Sequence, residues 1–151
     1  MIYKHPLAVG LGSELTNPAR TIHQLNFRGT ARTELSLEEF LQQMPVKPGW
    51  HPLIQELCLK LWSLGWDGKV DQVKEKFGGL RFYVDSTDMH GVASDAAWSL
   101  IQQTEFQSLS VCELCGTSPA AINRTRYWLK TFCTECDLCD QQQNPQIYRG
   151  Q

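Results

Sequence analysis

Leu53, Leu57, Leu61 and Leu64 recur every three or four positions, and Ile54, Cys58 and Trp62 widen the same stripe. That spacing predicts an amphipathic helix with one buried face. Pro52 suits a first turn, where a missing amide proton costs nothing, and Gly65 is placed to end the helix, so the helix is expected to begin near His51. Upstream, Ser36 and Glu39 form a capping-box pair in SLEEFLQQM, which predicts a short helix over about residues 37–43. Pro45, Pro48 and Gly49 separate the two helices. Further on the period falls to two: Val73, Glu75 and Phe77 alternate with Lys74 and Lys76, and Leu80, Phe82 and Val84 alternate with Arg81 and Tyr83. Gly78-Gly79 between them tolerates the positive φ of a tight turn, and a two-residue loop there sets Phe77 opposite Leu80 and Val73 opposite Val84. One face of this hairpin packs and the other is cationic. Ser86, Thr87 and Asp88 then offer caps for a helix over about residues 91–109, with Ala93, Ala97, Leu100, Ile101 and Thr104 on its inner side.

The flanks carry no such rhythm. Residues 1–35 hold Pro6, Gly10, Gly12 and Pro18 among scattered charges and read as an irregular arm, with room for one short strand. The polar end, residues 141–151, reads as a loosely held tail. The expected fold class is therefore α+β: helices packed on a short antiparallel hairpin over residues 36–110, followed over residues 111–140 by a module resembling a zinc ribbon or treble clef.

Composition narrows the function. At 151 residues the chain suits one ordinary domain with a small extension, and 42% hydrophobic residues, with five Trp and six Phe, supply a core. A net charge of −2 and a pI of about 6.1 argue against a protein whose main affinity comes from neutralising many phosphates, although a local basic patch is compatible with them. No apolar run reaches the roughly 18 residues of a membrane span, and the first residues lack an apolar signal core, so a cytoplasmic location is expected.

Five of the six cysteines fall within residues 112–139. Cys112-Glu-Leu-Cys115 and Cys133-Thr-Glu-Cys136 are two C-x-x-C pairs separated by seventeen residues, a spacing that lets each pair aim two thiolates at one ion. Cys112, Cys115, Cys133 and Cys136 are therefore expected to bind one Zn²⁺, with Cys139 as the alternative fourth ligand in place of Cys136. Gly116 follows the first pair, where a left-handed backbone is often needed. Four thiolates leave no open coordination position, and no histidine lies between residues 91 and 151, so the expected metal is structural rather than catalytic. Cys58, in an apolar run, is expected as a small buried hydrophobe. His5, His23, His51 and His90 lie in separate segments with no nucleophile nearby, and Gly78-Gly79 lacks the Lys-Ser/Thr of a phosphate loop. No catalytic residue is assigned and no enzyme activity is expected.

In order, Gly49-Trp50-His-Pro-Leu-Ile, then the segment from Gln72 to Tyr83 (QVKEKFGGLRFY), then Cys112-Glu-Leu-Cys115-Gly116 resemble a group of small uncharacterised proteins of bacteriophages and prophages. The resemblance covers about residues 48–136 and implies a helix, a hairpin, a second helix and a cysteine-pair module. It implies an accessory role in which the protein binds a host or phage macromolecular complex in the host cytoplasm, counter-defence being one such role. Two classes of partner are expected from the residues. The first is a protein or protein complex. The second is nucleic acid, contacted by Lys74, Lys76, Arg81, Arg124, Arg126 and Lys130 with Trp128 available for stacking.

Overall fold

The structure is a computed structural model and describes residues 20–85, 89, 91–125 and 127–149. Among these residues the architecture is α+β, with a four-stranded sheet, a two-stranded sheet, four α-helices and a cysteine cluster near the C-terminal end. Strands β1 (Ile22–Leu25) and β2 (Arg32–Leu35) come first and pair as an antiparallel hairpin. The expectation of an irregular arm over residues 1–35 thus fails for residues 22–35, while residues 1–19 lie outside the described residues. Only Ile22 of this hairpin is fully buried, so the four-residue strands show too little alternation to be read from sequence.

Helix α1 (Leu37–Gln43) carries the complete capping box: Ser36 Oγ accepts from the Glu39 amide at 3.1 Å, and the Glu39 carboxylate accepts from the Ser36 amide at 2.8 Å. A 3₁₀ turn (Pro48–Trp50) leads into α2 (His51–Ser63), whose Ile54, Leu57, Cys58 and Leu61 are buried. Strands β3 (Lys69–Lys76) and β4 (Gly79–Val84) follow, then α3 (Val92–Ser108). The proposed caps Ser86, Thr87 and Asp88 lie outside the described residues.

The sheet runs β2-β1-β3-β4. β1 and β3 are parallel, so α1 and α2 form the crossover between them, and the other two pairings are antiparallel. The parallel pairing is short, covering His23↔Lys69 and Gln24↔Val70. There the Arg32 guanidinium enters: Nη1 donates to the carbonyls of His23 at 3.0 Å and Val70 at 3.1 Å, and Nη2 meets the Asp71 carboxylate at 2.6 Å. It occupies carbonyls that a longer ladder needs, and β3 has a register shift at the same place, between Val70 and Gln72.

The β3–β4 turn is Phe77-Gly78 rather than Gly78-Gly79, because Lys76 pairs with Gly79 and Val73 with Phe82. Both loop positions shift back by one, so the faces survive: Val73, Leu80 and Phe82 are buried while Lys74, Arg81 and Tyr83 lie on the opposite side. Phe77 takes φ +54° and Gly78 φ +81°, as a primed hairpin turn requires. The shifted turn is held by the Glu75 carboxylate, which accepts from the Gly78 amide at 2.6 Å, and by Thr131 Oγ1, which donates to the Gly78 carbonyl.

One core cluster joins the sheet to α1, α2 and α3, with Trp50, Phe40 and Phe82 as its largest buried members. α3 also covers the edge of the sheet. The Leu80 amide donates to Ser108 Oγ and the Phe82 amide to the Glu105 carboxylate, each at 2.9 Å, so donors that an exposed edge strand leaves open are occupied. Among the described residues no helix is long and apolar enough to cross a membrane.

Candidate metal centre

The C-terminal module is built in the order knuckle, hairpin, helix. Residues 112–116 make the knuckle, in which the Cys112 carbonyl accepts from the Gly116 amide at 2.8 Å and Gly116 takes φ +79°. Strands β5 (Ala121–Arg124) and β6 (Leu129–Phe132) form a separate antiparallel hairpin, and α4 (Thr134–Gln143) follows at once. This is the treble-clef order. The second cysteine pair sits at a helix start rather than on a second knuckle, because Cys133 is the N-cap of α4 and its Sγ accepts from the Cys136 amide at 3.5 Å.

Cys112, Cys115, Cys133 and Cys136 converge, all four sulfurs lying within 4.8 Å of one another. Cys115 Sγ and Cys133 Sγ are 3.7 Å apart. Four sulfurs at the ordinary Zn–S length of about 2.3 Å on a tetrahedron are separated by about 3.8 Å, so the donor set fits such an ion. Burial raises the Cys136 thiol and the neighbouring thiols raise it further. At Cys115 burial also acts upward, but hydrogen bonding, chiefly with Thr117 whose Oγ1 is 3.1 Å from the sulfur, brings the thiol down to about 6. Adjacent negative charges oppose one another here, and a divalent cation at the centre removes that opposition.

Cys139 is outside the cluster. It is exposed one turn further along α4, where Sγ accepts from the Gln143 side chain at 3.4 Å. Cys58 is fully buried in the main core, and burial pushes its thiol up.

The module is joined to the core by named contacts. Trp50 Nε1 donates to the Val111 carbonyl and the Gly49 amide to the Glu113 carbonyl, both at 2.9 Å. Lys47 Nζ lies 2.7 Å from the Glu113 carboxylate, which is buried inside the first C-x-x-C. Gly49 and the knuckle approach so closely that a Cβ on Gly49 falls 2.1 Å from the Cys112 carbonyl oxygen.

Of the six cations expected to touch nucleic acid, Lys130 is internal. Its ammonium lies 2.7 Å from the Asp140 carboxylate and within 5.1 to 5.9 Å of the ring centres of Trp128, Phe132 and Tyr148. Tyr148 OH and Asn144 also donate to Asp140. Burial raises the Asp140 carboxyl, but these donors outweigh it and its pKa is lowered. The tail is correspondingly tied down: α4 extends to Gln143, and a 3₁₀ turn (Pro145–Ile147) sets Tyr148 against Asp140. The aromatics beside Lys130 were the sequence signal for this cage. Reading Lys130 as a nucleic-acid contact missed it, since Asp140 and Tyr148 stand at no diagnostic spacing.

Lys74, Lys76 and Arg81 do lie together on one side of the β3–β4 hairpin, with Lys74 and Arg81 directly opposite. Arg124 is on β5 with its side chain undescribed, and Arg126 lies outside the described residues. Trp128 is exposed beside Tyr127, and Phe132 is buried against Cys112 and Cys133. His51 opens α2, with Nε2 3.4 Å from the Val46 carbonyl, and His23 lies on β1, while His5 and His90 are outside the described residues. Compared with family models, with curated proteins and with solved structures, the chain has no significant match in any of the three.

Proposed function

We propose that this protein is a non-enzymatic binding module, stapled by one structural zinc ion, that acts on a protein partner. The observation that carries the zinc reading is the convergence of four thiols at the spacing of a tetrahedral sulfur site. An all-cysteine set favours Zn²⁺ over hard cations, and four protein ligands leave no position for a reacting water. The protein-partner reading is supported by large apolar side chains held on the surface: Phe27, Phe77, Trp98 and Phe106 are all more than half exposed. Aromatic anchors of this kind dominate protein interfaces. The nucleic-acid reading retains the Lys74, Lys76 and Arg81 face but loses Lys130 to Asp140. Similarity in motif order to the phage and prophage group supports an accessory role on a host or phage complex in the host cytoplasm, such as counter-defence.

Elemental analysis of freshly purified, reduced protein tests the centre. One zinc per chain is expected, lost in Cys136→Ser and kept in Cys139→Ser. Reduced protein without zinc overturns the reading. Partner class separates by the steepness of the salt response: a protein interface of aromatic anchors with a few charge pairs weakens modestly with added salt, whereas binding that neutralises many phosphates weakens steeply.

A further inference from the structure

β3 is eight residues long, yet β1 pairs with it only at Lys69 and Val70. Beyond the Arg32 wedge the two strands separate, and an open groove of about 660 Å³ lies between the β1–β2 hairpin, β3 and α1. Leu35, Phe40, Met44 and Val73 give it apolar walls, and Phe27 stands fully exposed on its rim. The β3 main chain along this groove is an unpaired strand edge. In an antiparallel ladder opposite residues alternate between exchanging main-chain hydrogen bonds with each other and pointing those groups away. The Leu80 and Phe82 amides point away, toward α3. Their partners Glu75 and Val73 therefore also direct their main-chain groups away from β4, toward the groove, where no described strand meets them.

The sides of this edge differ in charge. Lys74 and Lys76 project on the face opposite Val73, with Arg81 directly across from Lys74. Among the described residues no carboxylate pairs with any of the three. The Glu75 carboxylate is engaged by the Gly78 amide, and Lys74 and Lys76 have only the Tyr83 and Phe77 rings, each at 5.4 Å. Like charges directly opposite on a sheet are destabilising, and an acidic neighbour relieves them.

We propose that the open edge of β3 takes an extended segment of a partner protein as an added strand, with a sequence that alternates apolar and acidic residues. Main-chain hydrogen bonds form to Val73 and Glu75, alternate apolar side chains enter the groove against Val73, Phe40 and Met44, and the intervening acidic side chains lie beside Lys74 and Lys76. This rests on the protein-partner reading above and names the chemistry of that partner. A nucleic acid satisfies the cations but offers no main-chain ladder and no apolar residues for the groove.

The test uses the full chain in its purified, metal-bearing form and the capped peptide Val-Glu-Val-Asp-Val-Glu at about 1 mM, read by amide hydrogen exchange and backbone NMR shifts. In the free protein the Val73 and Glu75 amides are expected to exchange at least roughly tenfold faster than those of Lys74 and Lys76, and to slow by a similar factor with peptide. N-methylation of the peptide amides that face β3 is expected to abolish the effect, whereas N-methylation of the alternate amides spares it. Lys74→Glu with Lys76→Glu, both on the outer face, is expected to weaken binding roughly tenfold at low salt and less at about 500 mM. Full protection of Val73 and Glu75 without peptide overturns the proposal, because the edge is then already covered, by a second copy if dilution releases it. So does an absent response at 1 mM, or a response of these residues to single-stranded oligonucleotide alone. Zinc content is measured on the same sample, so a zinc-bearing protein that ignores the peptide loses this inference and keeps the structural reading.

Discussion

Single positions carry strain that sequence pattern does not display. Phe77 holds φ +54° at the tip of the β3–β4 turn with its ring about two-thirds exposed, a conformation that costs an ordinary L-residue roughly 1–2 kcal/mol. Asn tolerates that conformation and is preferred at this turn position. Phe77→Asn is expected to raise stability by about 1 kcal/mol in urea unfolding; no gain means that the Lys76 ammonium over the ring, at 5.4 Å, compensates for the strain. Gly49 is constrained by space instead of by φ. A Cβ there meets main-chain atoms of Cys112 and Glu113 at 2.1 to 2.6 Å, and backbone cannot swing aside as a flexible side chain can. Gly49→Ala is expected to cost about 4 kcal/mol or more, or to undock the module, measured by thermal unfolding together with zinc content. Wild-type stability with zinc retained would show that the two segments separate easily.

Between elements, the sheet is closed on one side and open on the other, and the closure depends on two side chains of α3. Glu105→Ala removes the acceptor of the Phe82 amide, and an orphaned donor costs about 1–3 kcal/mol. It also uncovers part of the β4 edge, so light scattering is expected to show concentration-dependent association, while Glu105→Gln retains an acceptor and stays monodisperse relative to it. Scattering unchanged from wild type in Glu105→Ala would mean that the bulk of α3, and not the hydrogen bond, protects the edge. The elements themselves differ in how far they can be read. Helices α1, α2 and α3 are legible because a capping box, an N-terminal proline and a sustained apolar stripe are local signals. The cysteine cluster is legible because C-x-x-C spacing pairs thiols toward one ion, but Cys136 and Cys139 share that spacing, and only the fold gathers Cys136 with the other three while Cys139 lies one turn away on α4. The β1–β2 hairpin is not, since its strands bury only one side chain completely and owe their place to Arg32, thirty-eight residues from the Val70 carbonyl it holds. The turn shift at Phe77-Gly78 also escapes local reading: part of what fixes it is Thr131, fifty-three residues away. The tail fails for the same reason, since a polar run becomes ordered only through Tyr148, Asp140 and the enclosed Lys130.

At the scale of the whole molecule, two cores of unequal size share one chain. Among the described residues the larger gathers eighteen buried side chains from the sheet, α1, α2, α3 and the segments joining them, whereas the smaller contains Cys112, Phe132 and Cys133 with three partly buried neighbours. So small an apolar cluster cannot offset the ordering entropy of the module, and metal binding is expected to supply most of the difference. The hydrogen bonds and ion pair joining the cores are few: Trp50 to Val111, Gly49 and Lys47 to Glu113, and Thr131 to Gly78. Removing the metal with a chelator is therefore expected to release amide protection first across β5, β6 and the start of α4, while the buried turns of α2 around Ile54, Leu57 and Leu61 remain protected. The turn at Gly78 should respond too, because its carbonyl loses Thr131, and its exchange should rise with that of the module rather than with that of α2. Hydrogen exchange followed by mass spectrometry, with and without chelator, separates the cases. Simultaneous loss of protection in α2 would show that the metal organises the entire chain, and that the large apolar core is insufficient without the small one.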